Sequence, residues 1–365
     1  MHILHLNAGN ETGGGMIHIL SLLNEFKRNE FTLGLLEEGL MQKKAKELGI
    51  RTVLFKQRGK FDVSVIRSVC RYMKEHHVDI IHTHGPRANV LGMIIKKKTG
   101  CRWVLTVHSD PRDDFLGGGL KGRCFTAVHL FAIKKADHCF AVSERFKKIL
   151  TELGMEEEKI TAILNGIDFR RTPEPYDRKA FRFRDNDFLI LMVARLERVK
   201  GHEMALRALK KVARAHPNVR LLLIGDGSLR KELEDRAKKE GIGERVHFFG
   251  YRPDAERFYP MADVALLTSY SESFPFVLLE AARAGVPVIT TDVGGVRHLV
   301  PDRRYGWVID VGDENQLGES LMEAVRLKGE QKLREMGERL KDRASRRFSV
   351  GHFAESVYEV YRKWV

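Results

Sequence analysis

Two carboxylates stand out in SYSESFPFVLLEAARAGVPVITTDVGG (269–295): Glu272 and Glu280, eight residues apart among phenylalanine, valine and leucine. A carboxylate in apolar surroundings is costly unless a cation, a donor or a ligand hydroxyl answers it. Proline is tolerated in the first turn of a helix, where its N–H would have no partner. The stretch therefore predicts a loop carrying Glu272 and a helix that starts near Phe274-Pro275 and holds Glu280. Two separate roles suit these acids better than one paired-acid site. The plainer alternative is a buried salt bridge at Glu280 and an ordinary loop acid at Glu272.

VARLERVKGHE (193–203) places Arg195 just past an apolar run and Lys200 just before a helical one, with Gly201 permitting close approach. Two cations converging on a helix N-terminus make a cradle for a diphosphate; chance cations in a loop are the alternative. His108 ends the apolar run in TVHSD. A histidine at the carboxyl edge of a parallel strand can donate to or orient a ligand, or be an edge residue with no role. His82 and His84, in IIHTHG, raise the same possibility, and none of the three has zinc-site spacing.

In GNETGGG (9–15) the run that includes Gly14 and Gly15 lets backbone N–H groups approach an anion at a helix start, or simply forms a pliant turn. The GxGxxG spacing and the acidic residue of a nicotinamide-dinucleotide site are both missing, so that cofactor is not expected. IGDGSLR (224–230) reads as a tight turn, with Asp226 a helix cap or a contact. FFGYRPD (248–254) offers backbone groups or Tyr251 to a nucleobase. Asp185-Asn186-Asp187 lies in a charged linker ahead of a strand and is not read as a metal site.

The elements that must position these residues follow a rhythm. Short apolar runs such as HILHLN (2–7), DIIHTH (79–84) and RWVLTVH (102–108) alternate with amphipathic helical segments such as SVIRSVCRYMKEHH (64–77). That is the pattern of βα units on a parallel sheet covered on both faces. The rhythm lapses over 159–187 and restarts at FLILMVARL (188–196). The expectation is two doubly wound, Rossmann-like α/β domains, 1–170 and 171–349, facing a cleft. A final amphipathic helix over about 350–365, with Phe353, Val357, Val360, Tyr361 and Trp364 near one face, crosses back to the first domain. Ligands of open parallel sheets bind beyond the carboxyl ends of the strands, and each motif above follows a predicted strand.

At 365 residues and 43% hydrophobic content, the chain is long enough for two cores. No run approaches membrane-spanning length and MHILHLNAGN lacks signal-peptide character, so a cytoplasmic location is expected. Four cysteines in the first half, without CxxC spacing, read as reduced thiols. The net charge of +14 divides evenly between the halves, which argues against a basic tail. Neither a zinc finger nor an RNP sequence favours nucleic acid.

Taken together these motifs resemble the family 4 retaining glycosyltransferases of the GT-B fold over nearly the whole chain. E-x7-E (Glu272, Glu280), R-x4-K (Arg195, Lys200), IGDGSLR, NGID and the glycine-rich first loop appear in family order. The resemblance implies sugar transfer, with retention, from a nucleoside-diphosphate sugar, most simply a UDP-sugar, to a saccharide or lipid-linked acceptor of cell-surface polysaccharide or glycolipid synthesis. It implies that Arg195 and Lys200 neutralise the leaving diphosphate, Glu272 contacts the donor sugar near the reacting carbon, and Glu280 binds ribose hydroxyls. Backbone groups at Ser273, Phe274, Phe276 and Val277 would hold sugar and phosphates, and His108 would face the donor sugar.

No metal and no further cofactor are implied. Pro275 stands where many relatives have glycine and removes one N–H from the donor-facing loop. Basic segments at 94–100 and 132–137 suit peripheral contact with an anionic inner leaflet. A GT-B sugar-nucleotide epimerase, or a non-catalytic module binding nucleotide or nucleic acid, are the alternatives; the Arg195/Lys200 and Glu272/Glu280 spacing speaks against the first, and intact Glu272, Lys200 and His108 against the second.

Overall fold

The structure is a computed structural model and describes residues 1–364 apart from 12, 27–29, 58, 60, 61, 63 and 113–118. The chain forms two compact units, Met1–Gly166 with Val350–Val365, and Ile167–Ser349. Thr12, inside the first glycine-rich loop, lies outside the described residues.

The first unit is built on seven parallel strands: β1 (Ile3–Asn7), β2 (Phe31–Leu35), β3 (Thr52–Leu54), β4 (Ile80–His84), β5 (Arg102–Val107), β6 (His138–Ala141) and β7 (Ile160–Ala162). Their order is β3-β2-β1-β4-β5-β6-β7. β1 and β4 are buried along their whole length, which is why they read as continuous apolar runs rather than alternating ones. One face packs on the Gly14–Glu25 and Val350–Arg362 helices through Ile19, Leu22, Val357 and Tyr361. The other face is covered by apolar side chains of the Ser64–Glu75, Pro86–Thr99 and Glu144–Glu152 helices. The final helix is thus part of the first unit's core, with Phe353, Val357, Val360 and Tyr361 buried.

The second unit repeats the plan with six parallel strands: β8 (Phe188–Val193), β9 (Val219–Ile224), β10 (Val246–Gly250), β11 (Val264–Leu267), β12 (Val288–Thr291) and β13 (Gly306–Ile309). Their order is β10-β9-β8-β11-β12-β13. Among the described residues every strand pair is parallel. The α/β reading therefore holds for both units. In each sheet the strand order reverses once, between β1 and β4 and between β8 and β11. Those reversals open a crevice at the carboxyl ends of the central strands.

Two local details differ from expectation. The helix after Glu272 is Phe276–Arg283, with Pro275 as its N-cap in extended conformation (φ −74°, ψ 124°). Proline disfavours the α region for the residue before it, so the helix cannot reach back to Phe274. Asp226 caps no helix: its Oδ1 accepts from the Gly227 N–H, and the next helix begins at Arg230.

Candidate functional site

The switch point of the second unit gathers Lys200, Glu272 and Ser269. Lys200 ends a short 3-10 turn (Arg198–Lys200) after β8, and Glu272 lies in the loop after β11. Lys200 Nζ meets Glu272 Oε1 at 2.6 Å, and the Ser269 hydroxyl donates to the same oxygen at 2.6 Å. Both charged side chains are mostly buried, 19% and 13% exposed, so each supplies the counter-charge the other needs.

Backbone contacts hold the two loops at that distance. Tyr270 N–H donates to Val199 C=O at 2.8 Å, and the Thr268 hydroxyl reaches the carbonyls of Lys200 and Gly201, each at 3.0 Å. Gly201 has φ +68°, and a Cβ there would lie 2.1 Å from the Thr268 carbonyl oxygen. Only glycine allows the Lys200 loop to press so closely on the end of β11. The other side of the Glu272 loop rests on the end of β12 and the loop after it. Thr291 donates to the Ser269 carbonyl at 2.6 Å, and Gly295 N–H donates to the Ser273 carbonyl at 2.7 Å.

The remaining residues expected here take separate places. Arg195 is 70% exposed and paired with Glu197 at 2.6 Å, so the two cations have different carboxylate partners. Phe274 and Phe276 are buried and anchor the loop through their rings; Phe274 packs against Phe348. The first-turn N–H groups of Phe276 and Val277 have no intrahelical acceptor and carry the positive end of the helix dipole. Glu280 accepts from the Tyr259 hydroxyl at 3.1 Å, rather than from a cation. Desolvation raises its carboxyl above the usual range, while Tyr259 and Arg283 pull it down. Tyr251 projects from the turn after β10, mostly in solvent. His202, behind Lys200, is held uncharged: burial, then the Lys200 charge, lowers its pKa to about 4.

The first unit has its own constellation at the β1/β4 reversal. A pocket of about 280 Å³ is lined by Glu11, Gly15, Gly85, Asn89, His108 and His129. Gly14 opens the Gly14–Glu25 helix, and Gly15 lies against Glu11 and the His108 ring. Asn89 meets His129 Nε2 at 3.0 Å and accepts from Thr83 at 2.7 Å.

His108 is the outer end of a buried chain. Parallel register sets His5 beside His82, and Asn7 beside His84, so His5, His82 and His84 share one face of the sheet. His108 Nε2 meets His84 Nδ1 at 3.3 Å, and His84 Nε2 meets His5 Nδ1 at 3.0 Å. His5 Nε2 meets the Tyr361 hydroxyl at 3.3 Å, which meets His82 Nδ1 at 2.5 Å; His82 Nε2 ends the chain on Thr106 Oγ1 at 2.7 Å. Burial drives all four imidazoles to the uncharged form: His5 to about 3, and His82, His84 and His108 well below 6.5.

A neutral imidazole donates once and accepts once. The direct bonds from His108 through His84 to His5 therefore run in a single direction, with all three rings protonated on Nε2 or all three on Nδ1, while the Tyr361 hydroxyl can accept from both of its neighbours and does not fix the His82 tautomer. His108 Nδ1 in turn offers either an acceptor or a donor. The ligand atoms of His5, His82 and His84 lie within 4.8 Å of one another, the one metal-like cluster among the described residues. Every ring nitrogen in it already has a hydrogen-bond partner, so the set reads as a relay rather than a metal centre.

Of these, sequence reasoning missed Ser269, Thr268, Glu11, Asn89, His129 and Tyr361 as site residues. Each lies in the glycine-rich first loop, just past a strand end or on a helix, and no spacing singles it out.

The comparisons bear on both halves. Residues 12–171 match the model of Glycosyltransferase Family 4, and residues 174–345 match that of Glycosyl transferases group 1. An uncharacterized glycosyltransferase of Methanocaldococcus jannaschii is 30% identical over 250 residues, 63% of this chain and 62% of that one. The Escherichia coli UDP-Gal:alpha-D-GlcNAc-diphosphoundecaprenol alpha-1,3-galactosyltransferase is 24% identical over 82% of this chain and 79% of its own. The chain spans 55–62% of the length of three of the curated relatives it matches. Anabaena HepE, solved in complex with UDP, superposes over 100% of both chains with a TM-score of 0.87 at 22% identity. Two glycosyltransferase models that meet where one parallel sheet gives way to the next place this chain among the family 4-type glycosyltransferases of the GT-B fold.

Proposed function

We propose that the protein transfers a sugar from a nucleoside-diphosphate sugar, a UDP-sugar in the first place, to a saccharide or lipid-linked acceptor of cell-surface polysaccharide or glycolipid synthesis, with retention at the anomeric carbon. The observation that carries this reading is the Lys200–Glu272–Ser269 cluster at the second unit's switch point, beside the N-terminus of the Phe276–Arg283 helix. It is supported by the relatives: HepE was solved with UDP, and the Escherichia coli enzyme is named for a UDP-sugar and a lipid diphosphate.

In this scheme the diphosphate takes the place of the Glu272 carboxylate on Lys200, so no unpaired charge has to be buried. Lys200, Arg195 and the helix N–H groups stabilise charge developing on the departing diphosphate. Glu272, released from Lys200, lies near the anomeric carbon and answers its partial positive charge. Ser273, Phe274, Phe276 and Val277 hold sugar and phosphates through their backbones. Glu280 keeps Tyr259 on one oxygen and offers the other to the ribose, and Tyr251 borders the base.

The acceptor hydroxyl attacks from the face the diphosphate leaves. A new carbon–oxygen bond forms, the bond to phosphate breaks with its electron pair, and the acceptor proton passes to a phosphate oxygen. His108 keeps an uncharged imidazole at the first unit's pocket. The scheme requires no metal ion, nucleic acid is not a partner, and the protein works in the cytoplasm, with peripheral contact to the inner leaflet.

A thermal-shift screen over UDP-, GDP- and ADP-sugars, followed by anomer assignment of the product, tests the reading. Stabilisation by a UDP-sugar and an unchanged rate in EDTA are expected. Failure of every nucleotide sugar to bind, or formation of an epimer without acceptor, would sink it. A strict requirement for Mg²⁺ would overturn the metal-free scheme.

A further inference from the structure

The Gly119–Ile133 helix has a composition that its surroundings do not match. GLKGRCFTAVHLFAI contains no acidic residue and is apolar around most of its girth, a pattern that belongs in a core. Yet only Gly122, His129, Ala132 and Ile133 are buried. This inner face meets the Pro86–Thr99 helix, and His129 reaches the pocket.

The outer face carries Leu120 at 80% exposure, Phe131 at 56% and Val128 at 46%, with Phe125 and Cys124 also exposed. Leu120, Cys124, Val128 and Phe131 recur at helical spacing and form one stripe. Other large exposed apolar side chains of the described residues are distributed over several elements, as is ordinary for a soluble surface. A continuous apolar stripe is not ordinary. Around it are cations. Lys121 and Arg123 flank its start, and Lys134 and Lys135 follow its end, all exposed. Lys97 and Lys98 stand exposed at the end of the neighbouring helix, brought close by the bond from Lys96 to the Lys135 carbonyl at 3.0 Å. Lys96 itself is spent on Asp137 at 2.8 Å.

We propose that this outer face docks the first unit on an anionic lipid bilayer. The apolar stripe enters the interfacial region, and the six cations meet headgroup phosphates. Apolar side chains in a basic frame with no acid on the helix complement a negatively charged surface that has an oily layer beneath it. The opposite face of the same helix supplies His129 to the pocket, so docking sets that pocket within about one helix diameter, ~10 Å, of the headgroups. A saccharide anchored in the bilayer through a lipid diphosphate then reaches the pocket without leaving the membrane. This deepens, and rests on, the lipid-linked acceptor of the proposed function.

The test is flotation of the full chain with vesicles of phosphatidylcholine alone, and of phosphatidylcholine with about one-third phosphatidylglycerol. Binding to the anionic vesicles, weakened by salt, is expected. The paired change Val128→Ser with Phe131→Ser should lower that partition about tenfold or more. Lys134→Gln with Lys135→Gln should lower it on anionic vesicles and weaken its salt dependence. All four positions are exposed, so folding is not at risk.

The proposal is overturned if the wild type ignores anionic vesicles, or if both variants bind as the wild type does. It is also overturned if light scattering shows a dimer that Val128→Ser with Phe131→Ser dissolves, which would assign the face to a second copy of the chain. Calorimetry with UDP runs alongside. Loss of UDP binding with flotation intact removes the glycosyl-transfer reading and spares the docking surface; the reverse result removes the docking surface alone.

Discussion

Lys200 and Glu272 act as counter-charges in the resting protein, which makes each informative when removed. Lys200→Ala should leave the fold intact at a cost of about 1–2 kcal/mol, below the range for fully buried pairs because both side chains keep some access to water. Transfer should fall about 100-fold or more, the scale seen when one group that stabilises developing charge is lost. Glu272→Ala should cut transfer on the same scale. Near wild-type turnover in either variant would remove that residue from the site. The two acids and the lysine were legible in the sequence from their spacing. Ser269, the third member, was not: it is one serine in a loop, and only the hydrogen bond to Glu272 sets it apart.

The histidine chain makes a second prediction at the same scale. ¹⁵N NMR of the folded protein should show His5, His84 and His82 uncharged, with His5 and His84 in one common tautomer, because the direct bond between those two rings passes its direction on. Opposite tautomers in His5 and His84 would contradict the single-direction chain.

Among the elements, the short turn that delivers Lys200 matters most. Gly201→Ala adds a Cβ 2.1 Å from a backbone oxygen at a positive φ, where an L side chain is already strained. The expected loss is about 2–4 kcal/mol, read as a lower urea midpoint, accompanied by weaker UDP binding as the Lys200 loop lifts from β11. A midpoint equal to the wild type would show that the turn yields without cost. The helix at 276–283 carries a related lesson. Its existence and its glutamate were readable from the apolar run after Pro275. Its first residue was not, because proline's restriction on Phe274 outweighs its tolerance in a first turn.

At the scale of the whole molecule, the buried histidines concentrate acid sensitivity in the first unit. The folded-state pKa of His5 lies at about 3 and that of His18 at about 4, both below the unfolded value of 6.5. The unfolded chain therefore binds more protons below pH 6.5. The stability these residues contribute is complete above that pH and is lost as pH falls from 6.5 toward 4 and 3. At the acid end His18 can account for about 3 kcal/mol and His5 for about 5 kcal/mol, and because the rings interact the amounts do not simply add. Hydrogen exchange at pH 5 against pH 7 should show faster opening in β1, β4 and β5 than in β8 and β11. Equal acceleration in both sheets would contradict the assignment.

The sequence by itself determined the α/β rhythm, the two parallel sheets and the motifs at their carboxyl ends. Those features are written in periodicity and short spacings, which local backbone preference and burial translate directly. Only the tertiary structure decided which side chains meet. His5 and Tyr361 touch across 356 positions of chain because parallel register and the return of the last helix bring them together. Arg195 and Lys200, five residues apart, answer to different carboxylates because a tight turn sends their side chains to separate partners. The helix at 119–133 reads as a core helix until the fold leaves one face of it in water. Partnership and exposure are properties of the folded surface, set by contacts between distant segments, and no local pattern encodes them.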